Sequence, residues 1–448
     1  VRVLLVSANR ERLPSPVVPL GVLSVAGALR PEHEVHVVDL CFESDPDRAL
    51  RDAIAAFAPE VVGIGLRNLH SNAYEGTERL IEEYAARVAT VRAVTSAPIV
   101  LGGAAFSLQP TTLLARLGAD HGVVGEGERA FRALVDALAR GERPDRLVHG
   151  AAVTKSEGLV RIRTSAITSD LDLLPGPARD LTDRRYFDGP GEGTANLQTK
   201  RGCAFHCTYC DYPDLEGRRV RVRAPDAIAD ELVALAQTPG VDHAFIVDSV
   251  FNVPPAHARA VCDAIAARGS PLPWVCYVSP AGLDEPLVAA MARAGCVGAE
   301  IGTDSGSAAV LSRLNKPFKL EQVVATRALF RRYELHDVHT FVLGAEGEDA
   351  REVEETLRFV DALDPDLAVF IVFMEDREDR RMDRAPHRRA ILELLSREAP
   401  KRPGWVVPEL GIRFGPKLTR VVEREGLRGP PWLYLARQRR TGVRGLVA

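Results

Sequence analysis

Long apolar stretches are missing from this 448-residue chain. No segment reaches the roughly 18 consecutive apolar residues that a membrane-spanning helix needs, so no membrane span is expected. The opening VRVLLVSANRERLPSP holds an apolar run of only about five residues before charge sets in, too short for a secretory signal, and the protein is expected to be soluble and cytoplasmic. Lys and Arg form no dominant block and the net charge is −4, which argues against nucleic acid as a partner. Cysteine is scarce. There are seven, an odd number, and no secretion signal, so a disulfide framework is excluded. Two phosphate-binding signatures are also missing. GEGE (125–128) is not followed by Lys-Ser/Thr, and GIGLRN (63–68) has neither the third glycine of a dinucleotide fingerprint nor an acidic residue at the expected distance. What remains is ordinary globular material, 46% hydrophobic and 26% charged, enough for two or three domains with real cores.

The chain is organised in blocks. Within residues 1–142, Val/Ile/Leu-rich segments at 2–7, 34–40, 60–66, 98–103 and 120–124 read as buried strands. Helical patterns fall at 20–30, 46–57, 74–95, 110–117 and 127–140. Repeated strand–helix order implies an α/β domain with a doubly wound, Rossmann-like parallel sheet, whose ligands sit at the carboxyl ends of the strands. Those ends carry SANRE, GLRNLHSN, LGGAAF and VVGEGE, small and Gly-rich loops that suit a large ligand approached closely by backbone. Residues 143–192 mix Pro, Gly and Asp and read as a linker with little core of its own. In residues 193–375, strand patterns at 194–199, 243–249, 274–279, 298–305, 338–344 and 367–374 alternate with helical ones. They fit a partial (β/α)6, TIM-like barrel with its chemistry at the strand C-termini. Residues 376–448 read as a small, mainly helical region, and the charge run MEDREDRRMDRAPHRRA as a solvated surface.

Three of the cysteines, Cys203, Cys207 and Cys210, share one loop directly after the first strand of the second series. Thiolates so close together suit zinc or an iron–sulfur cluster. Structural zinc takes four ligands, usually as two spaced pairs, and there is no second pair. His206 lies inside the same tight loop and is expected to point elsewhere. A [4Fe–4S] cluster held by three thiolates leaves one iron open to a substrate or cofactor, which is what a catalytic cluster needs. Cys262, Cys276 and Cys296 fall in helix or strand patterns and read as core residues.

Cys203-x3-Cys207-x2-Cys210, with Tyr209 before the last cysteine, resembles the signature of the radical S-adenosylmethionine (SAM) superfamily. That resemblance implies SAM chelated to the open iron, its cleavage to a 5′-deoxyadenosyl radical, and an external reductant such as flavodoxin or ferredoxin. Tyr209 then belongs to the cofactor-binding set. AFIVDSVFN resembles the second-strand segment of the superfamily, making Asp248 and Asn252 contacts of SAM or substrate. GAEIGTDSGS resembles the fourth strand, placing Glu300, Thr303 and Asp304 at the SAM ribose or amino end. FVLGAEGED resembles the fifth, with Gly344 in the turn behind the adenine, and Glu346 departs from the usual proline there.

The front block is similar to the cobalamin-binding domain of B12-dependent radical SAM enzymes, and the resemblance runs through residues 1–375. It is nearest to the subgroup labelled lipid-biosynthesis B12-binding/radical SAM proteins. Implied cobalamin contacts are Leu20, Gly21, Asn68, Gly102, Gly103, Gly125, Glu126 and Gly127. A methylthiotransferase is excluded, because its front domain holds three cluster cysteines and this one holds only Cys41. The Asp-x-His-x-x-Gly motif that supplies a protein ligand to cobalt is absent. GLRN instead implies Arg67 and Asn68 near the lower face of cobalamin. An arginine stays protonated and cannot ligate cobalt, which favours Co(I), the nucleophile that takes a methyl group from SAM. The expected activity is therefore a methyltransferase moving a methyl group from SAM, via methylcobalamin, to a carbon of a small-molecule substrate held between the two domains. Arg67 joins the three cysteines in the catalytic set. The alternatives are a non-methylating radical enzyme performing ring contraction, cyclisation or oxidation, and a cobalamin-binding sensor. The C-terminal region departs from the family and is expected to shape the substrate pocket, with Trp405, Trp432 and Tyr434 packing or lining it.

Overall fold

The computed structural model describes residues 1–69, 77–142, 152–156, 159–162, 168–189, 191–373 and 385–441. It divides into two units. The first comprises Val1–Arg12, Pro16–Arg185 and Asp211–Gly217, and the second Leu13–Ser15, Tyr186–Cys210 and Arg218–Ala448.

In the first unit the strands are β1 (Arg2–Ser7), β2 (Glu34–Asp39), β3 (Val61–Gly65), β4 (Ile99–Gly102), β5 (His121–Val123), β6 (Ala152–Ser156) and β7 (Leu159–Ile162). The helices between them are α1 (Leu20–Leu29), α2 (Pro46–Phe57), α3 (Thr77–Val94), α4 (Ala104–Leu108), α5 (Pro110–Leu117) and α6 (Gly127–Ala139). The strand at 2–7 is apolar on both faces because both faces are covered. Val3 and Leu5 pack with residues of α1 and α6, while Leu4 and Val6 pack with residues of α2 and α3. Helix α2 shows how local chemistry sets its ends. The Asp45 side chain accepts from the Arg48 N–H at 2.9 Å, Pro46 stands in the first turn, and Ala58 in the left-handed region stops it. The sheet order is β2-β1-β3-β4-β5-β6-β7, with β2 through β5 parallel. Strand order reverses direction at β1/β3, which opens a crevice beyond the carboxyl ends of those two strands.

The segment 143–192, read as a linker, differs from that expectation. Its β6 and β7 extend the first sheet, antiparallel to β5 and to each other. Farther along, Leu171 and Ala178 are buried, and the Ala178 N–H donates to the Leu23 carbonyl at 2.9 Å. A side chain at Gly27 would put its Cβ 2.1 Å from the Gly176 carbonyl oxygen, so α1 needs glycine for this approach. The unpaired backbone groups at a sheet edge recruit whatever chain lies beside them.

The second unit is built on β8 (Thr194–Leu197), β11 (His243–Ile246), β12 (Trp274–Val278), β13 (Cys296–Asp304), β14 (His336–Leu343), β15 (Leu367–Val372) and β16 (Trp405–Val406). A two-stranded ribbon, β9 (Lys200–Arg201) with β10 (Arg221–Val222), stands apart. The helices of this half are α7 (Arg185–Asp188), α9 (Pro225–Ala236), α10 (Pro255–Ala267), α11 (Glu285–Arg293), α12 (Ala308–Arg313), α13 (Leu320–Arg332), α14 (Ala350–Leu363), α15 (Ala385–Glu398), α16 (Pro416–Arg424) and α17 (Pro431–Thr441), while α8 (Tyr212–Glu216) lies in the first unit. The sheet order is β16-β15-β14-β13-β12-β11-β8, all parallel, with β8 and β16 as open edges. Alternation assigns the two faces. Phe341, Leu343, Phe370 and Val372 pack with α14 and α15, whereas Val338 and Leu367 pack with Leu418 and Val422 of α16 and Leu435 of α17. The C-terminal region is mainly helical, as expected, and also donates β16 as a seventh strand. The acidic and basic run at 374–384 lies outside the described residues. No helix among the described residues is long and apolar enough to cross a membrane.

Candidate active site

The loop that carries the three cysteines leaves β8 under tight control. Asp248, just past β11, accepts from the Thr199 N–H at 2.8 Å, from the Thr199 hydroxyl and from the Lys200 N–H at 3.3 Å. Its carboxylate also lies 3.3 Å from the Lys200 ammonium, which donates to the Phe251 carbonyl at 2.8 Å. Lys200 and Asp248 are both buried. Asn252 is closed off in the same way. Its amide donates to the Ser279 and Ala281 carbonyls at 2.9 and 2.8 Å and accepts from the Ser279 N–H at 2.9 Å. Both residues were expected to contact SAM or substrate. In the structure their polar atoms brace the loop and the neighbouring strand ends.

Cys203, Cys207 and Cys210 are partly exposed and none is in a disulfide. The loop between them is held from the side of α12. The Thr208 N–H donates to the Leu314 carbonyl at 3.1 Å, and the Asn315 amide to the His206 carbonyl at 2.8 Å. His206 Nδ1 lies 2.9 Å from an Arg218 nitrogen, which occupies the ring as expected of a residue pointing elsewhere. Tyr209, between two of the thiols, donates its hydroxyl to Asp304 Oδ2 at 2.6 Å. The Lys316 ammonium lies 2.6 Å from the same oxygen and 5.8 Å from the Tyr209 ring centroid. Burial pushes the Cys207 thiol up, and Lys316 nearby pulls it back. A trio of soft ligands beside a fixed cationic and hydroxyl frame is a donor set that fits an iron–sulfur cluster bound through three thiolates.

The residues of β13 split between two faces. Glu300 points to the face shared with the C-terminal helices, beside Tyr277 and Val338 in register and flanked by Gly298 and Gly302. Burial pushes its carboxyl up to about 7, against the pull of the Trp432 indole. Thr303 was expected near the SAM ribose or amino end. It is fully buried on the opposite face, its hydroxyl 2.7 Å from His339 Nδ1. The turn after β14 is closed differently from a proline turn. Gly344, with φ +84°, donates its N–H to the Glu348 carboxylate, and Ala345 does so at 3.2 Å. Burial pushes Glu348 up to about 7 against those two N–H groups, while Glu346 is exposed. Lys200, Lys316, Glu348 and His339 escaped the sequence reading. Lys316 follows Asp304 only after a whole helix, and nothing local in the sequence marks that distance.

In the first unit, the expected ligand-binding residues collect along one edge of the sheet. Arg67 and Asn68 follow β3, Gly102 and Gly103 end β4, and Gly125, Glu126 and Gly127 join β5 to α6, while Leu20 and Gly21 open α1. Arg67 is exposed. The Asn68 amide donates to Asn9 Oδ1 at 3.4 Å, and Tyr84 donates to the Asn68 carbonyl at 2.8 Å. Gly103 adopts φ +95°, and a Cβ there would lie 2.4 Å from the Leu66 carbonyl oxygen. The Gly125 N–H is held by the Ser107 hydroxyl at 2.9 Å. Strand ends lined largely by glycine, with polar loops on both sides of the crevice, fit a large planar cofactor. The rest of the GLRNLHSN loop, from residue 70, lies outside the described residues.

Comparison with known proteins agrees with both halves. The B12 binding domain profile matches residues 6–135, and the Radical SAM superfamily profile matches residues 197–360. An uncharacterized methyltransferase of Pyrococcus horikoshii is 26% identical over 79% of this chain and 75% of its own length. The tryptophan 2-C-methyltransferase of Streptomyces laurentii is 30% identical over 66% of this chain, which spans 59% of that protein. Among solved structures, the radical SAM methyltransferase TsrM of Kitasatospora setae, with cobalamin and a [4Fe–4S] cluster bound, superposes with a TM-score of 0.73 at 25% identity, over 83% of this chain and 74% of that one. With a B12-binding N-terminal domain, a radical SAM domain after it in the sequence and a solved relative, TsrM, that carries both cofactors, the chain belongs to the cobalamin-dependent radical SAM enzymes.

Proposed function

We propose that this protein transfers a methyl group from SAM to a carbon centre of a small-molecule substrate, using cobalamin as the carrier. The observation that carries the reading is the likeness to TsrM, which extends through both units at a TM-score of 0.73. When bound, the cluster and cobalamin supply SAM cleavage and methyl carriage, the chemistry that side chains cannot perform. The protein's share is placement. Cys203, Cys207 and Cys210 hold the cluster. The Lys200–Asp248 pair fixes where their loop begins, and Asp304, Tyr209 and Lys316 fix where it turns. Glu300 holds or releases a proton near neutral pH on the sheet face shared with the C-terminal helices. Arg67, exposed after β3, would meet cobalamin with a guanidinium, a group that cannot ligate a transition metal. The electron donor is a small reductant such as flavodoxin or ferredoxin, met in the cytoplasm.

The test is anaerobic reconstitution with iron, sulfide and hydroxocobalamin, then incubation with reductant and methyl-labelled SAM. About four irons per chain, bound cobalamin and label recovered on cobalamin support the reading. Cluster and cobalamin with deoxyadenosine but no methyl transfer would replace it with a non-methylating radical reaction. Zinc in place of iron, or no retained cobalamin, would overturn it.

A further inference from the structure

Thr303 stands in a place that neither a cofactor contact nor ordinary core packing explains. In the pairing of β13 with β14, Gly302 faces Thr340 and Asp304 faces Phe341, so Thr303 is an extra residue, a bulge in the strand. The residue after it, Asp304, adopts φ +64°, a conformation that a non-glycine residue holds only when its surroundings over-determine it. Asp304 is the residue that meets Tyr209 and Lys316 beside the cysteines.

The anchor of the bulge lies on the other face of the sheet. The Thr303 hydroxyl contacts His339 Nδ1 at 2.7 Å, and His339 Nε2 contacts Asp337 Oδ2 at 3.0 Å. Asp337 is bonded in turn by the Arg327 guanidinium, which also donates to the Asp364 carbonyl at 2.8 Å. Thr303, His339 and Asp337 are fully buried. In the tautomer that donates Nε2–H to Asp337, Nδ1 can only accept, so the threonine hydroxyl must turn toward it. The far side of the turn is tied as firmly. Thr356 of α14 takes the Gly306 N–H at 3.0 Å and contacts the Ser305 hydroxyl at 2.9 Å.

We infer that the buried chain Thr303–His339–Asp337–Arg327 is a positioning device for the cluster loop: it holds the bulge that aims Asp304 at Tyr209 and Lys316. Thr303 and His339 are positioning residues that act through Asp304 and touch neither SAM nor metal. The inference rests on the reading of Cys203, Cys207 and Cys210 as cluster ligands.

Reconstituted holoprotein carrying single substitutions tests it, read by electron paramagnetic resonance of the reduced cluster with and without SAM, and by KM for SAM against kcat. Thr303→Val keeps the shape and loses the hydroxyl. Its expected effect is a changed SAM-induced spectral shift and a KM for SAM raised about tenfold, with Thr303→Ser returning both toward the parent. His339 allows an independent split. Asn places its amide oxygen near the Nδ1 position and keeps the Thr303 bond, whereas Gln reaches Asp337 and abandons Thr303. His339→Asn is expected to resemble the parent and His339→Gln to resemble Thr303→Val. Val353→Ala, a core truncation on α14, is expected to lower thermal stability and leave spectra and KM alone. Parent-like spectra and KM in Thr303→Val and His339→Gln, or equal changes in Val353→Ala, would overturn the inference. A parent protein that assembles no cluster would instead overturn the function on which it rests.

Discussion

Lys316 and Asp304 form a buried ion pair, 2.6 Å from ammonium to carboxylate, with their side chains 8% and 3% exposed. Removing one partner of such a pair strands a buried charge, at a cost of about 3–5 kcal/mol. Lys316→Met should therefore destabilise the apo-protein strongly. Adding Asp304→Asn should recover much of the loss, because the stranded charge is gone. Urea denaturation of the two single variants and the double variant measures the coupling. Strictly additive losses would show that the pair is not a unit.

Glu300 gives a pH signature. Its carboxyl is raised to about 7 by burial, so the folded protein holds a proton there that the unfolded chain has released. Stability from this group is present below the unfolded carboxylate value and declines as pH rises from there to about 7. Glu300→Gln cannot lose that proton. Relative to the parent, the apo-variant should gain on the order of 2–3 kcal/mol at pH 8 and almost nothing at pH 4. Denaturation at the two pH values checks the sign, and an equal difference at both would refute the assignment.

The same strand shows what could be read in advance and what could not. GAEIGTDS announced a strand by composition, and its position in a repeated strand–helix series placed it in the second sheet. Its facing was hidden. The strand is covered on both sides, so its sequence has no alternation to read, and the bulge at Thr303 shifts the register of whatever follows. Asp304 meets Tyr209 and Lys316 beside the cysteines, while Thr303 went to His339. The bracing role of Asp248 and Asn252 was hidden for a related reason. A polar residue at a strand end looks like a site, and only tertiary structure reveals that Lys200 and the Ser279 backbone consume it. The strands β1 and β3 were legible because an apolar run bounded by polar residues has few other uses. The two-residue β16 and the hairpin of β6 and β7 owe their existence to a neighbouring edge.

Asp248 is the brace whose loss should be felt at the metal. Asp248→Asn keeps the size but removes the charge that Lys200 faces and one of the two acceptor oxygens that Thr199 and Lys200 share. The expected result is a folded protein that retains less than half the parent's iron after gel filtration. Asp248→Asn with Lys200→Met, which removes the unpaired ammonium, should fold better than Asp248→Asn alone. Iron and sulfide analysis beside far-ultraviolet circular dichroism separates the two effects. Undiminished iron in Asp248→Asn would mean that the cysteine loop does not depend on this brace.

Arg67 is the position where sequence and structure together make the sharpest chemical prediction. It is exposed on the loop after β3, so truncation should change the stability of the apo-protein by no more than about 0.5 kcal/mol in either direction. Its effect should appear only with cobalamin bound. Arg67→His introduces an imidazole, which unlike guanidinium can ligate a transition metal. The optical spectrum of bound cobalamin should then move toward that of a nitrogen-ligated form, and methyl transfer from SAM should fall about tenfold or more. Arg67→Ala should leave the spectrum of the parent and lower the transfer rate less. The order parent, Ala, His is the signature of a residue whose task is to withhold a ligand, since a residue that merely contacts cobalamin would suffer most from truncation. Spectra and rates identical to the parent's in both variants would refute the proposal that Arg67 meets cobalamin.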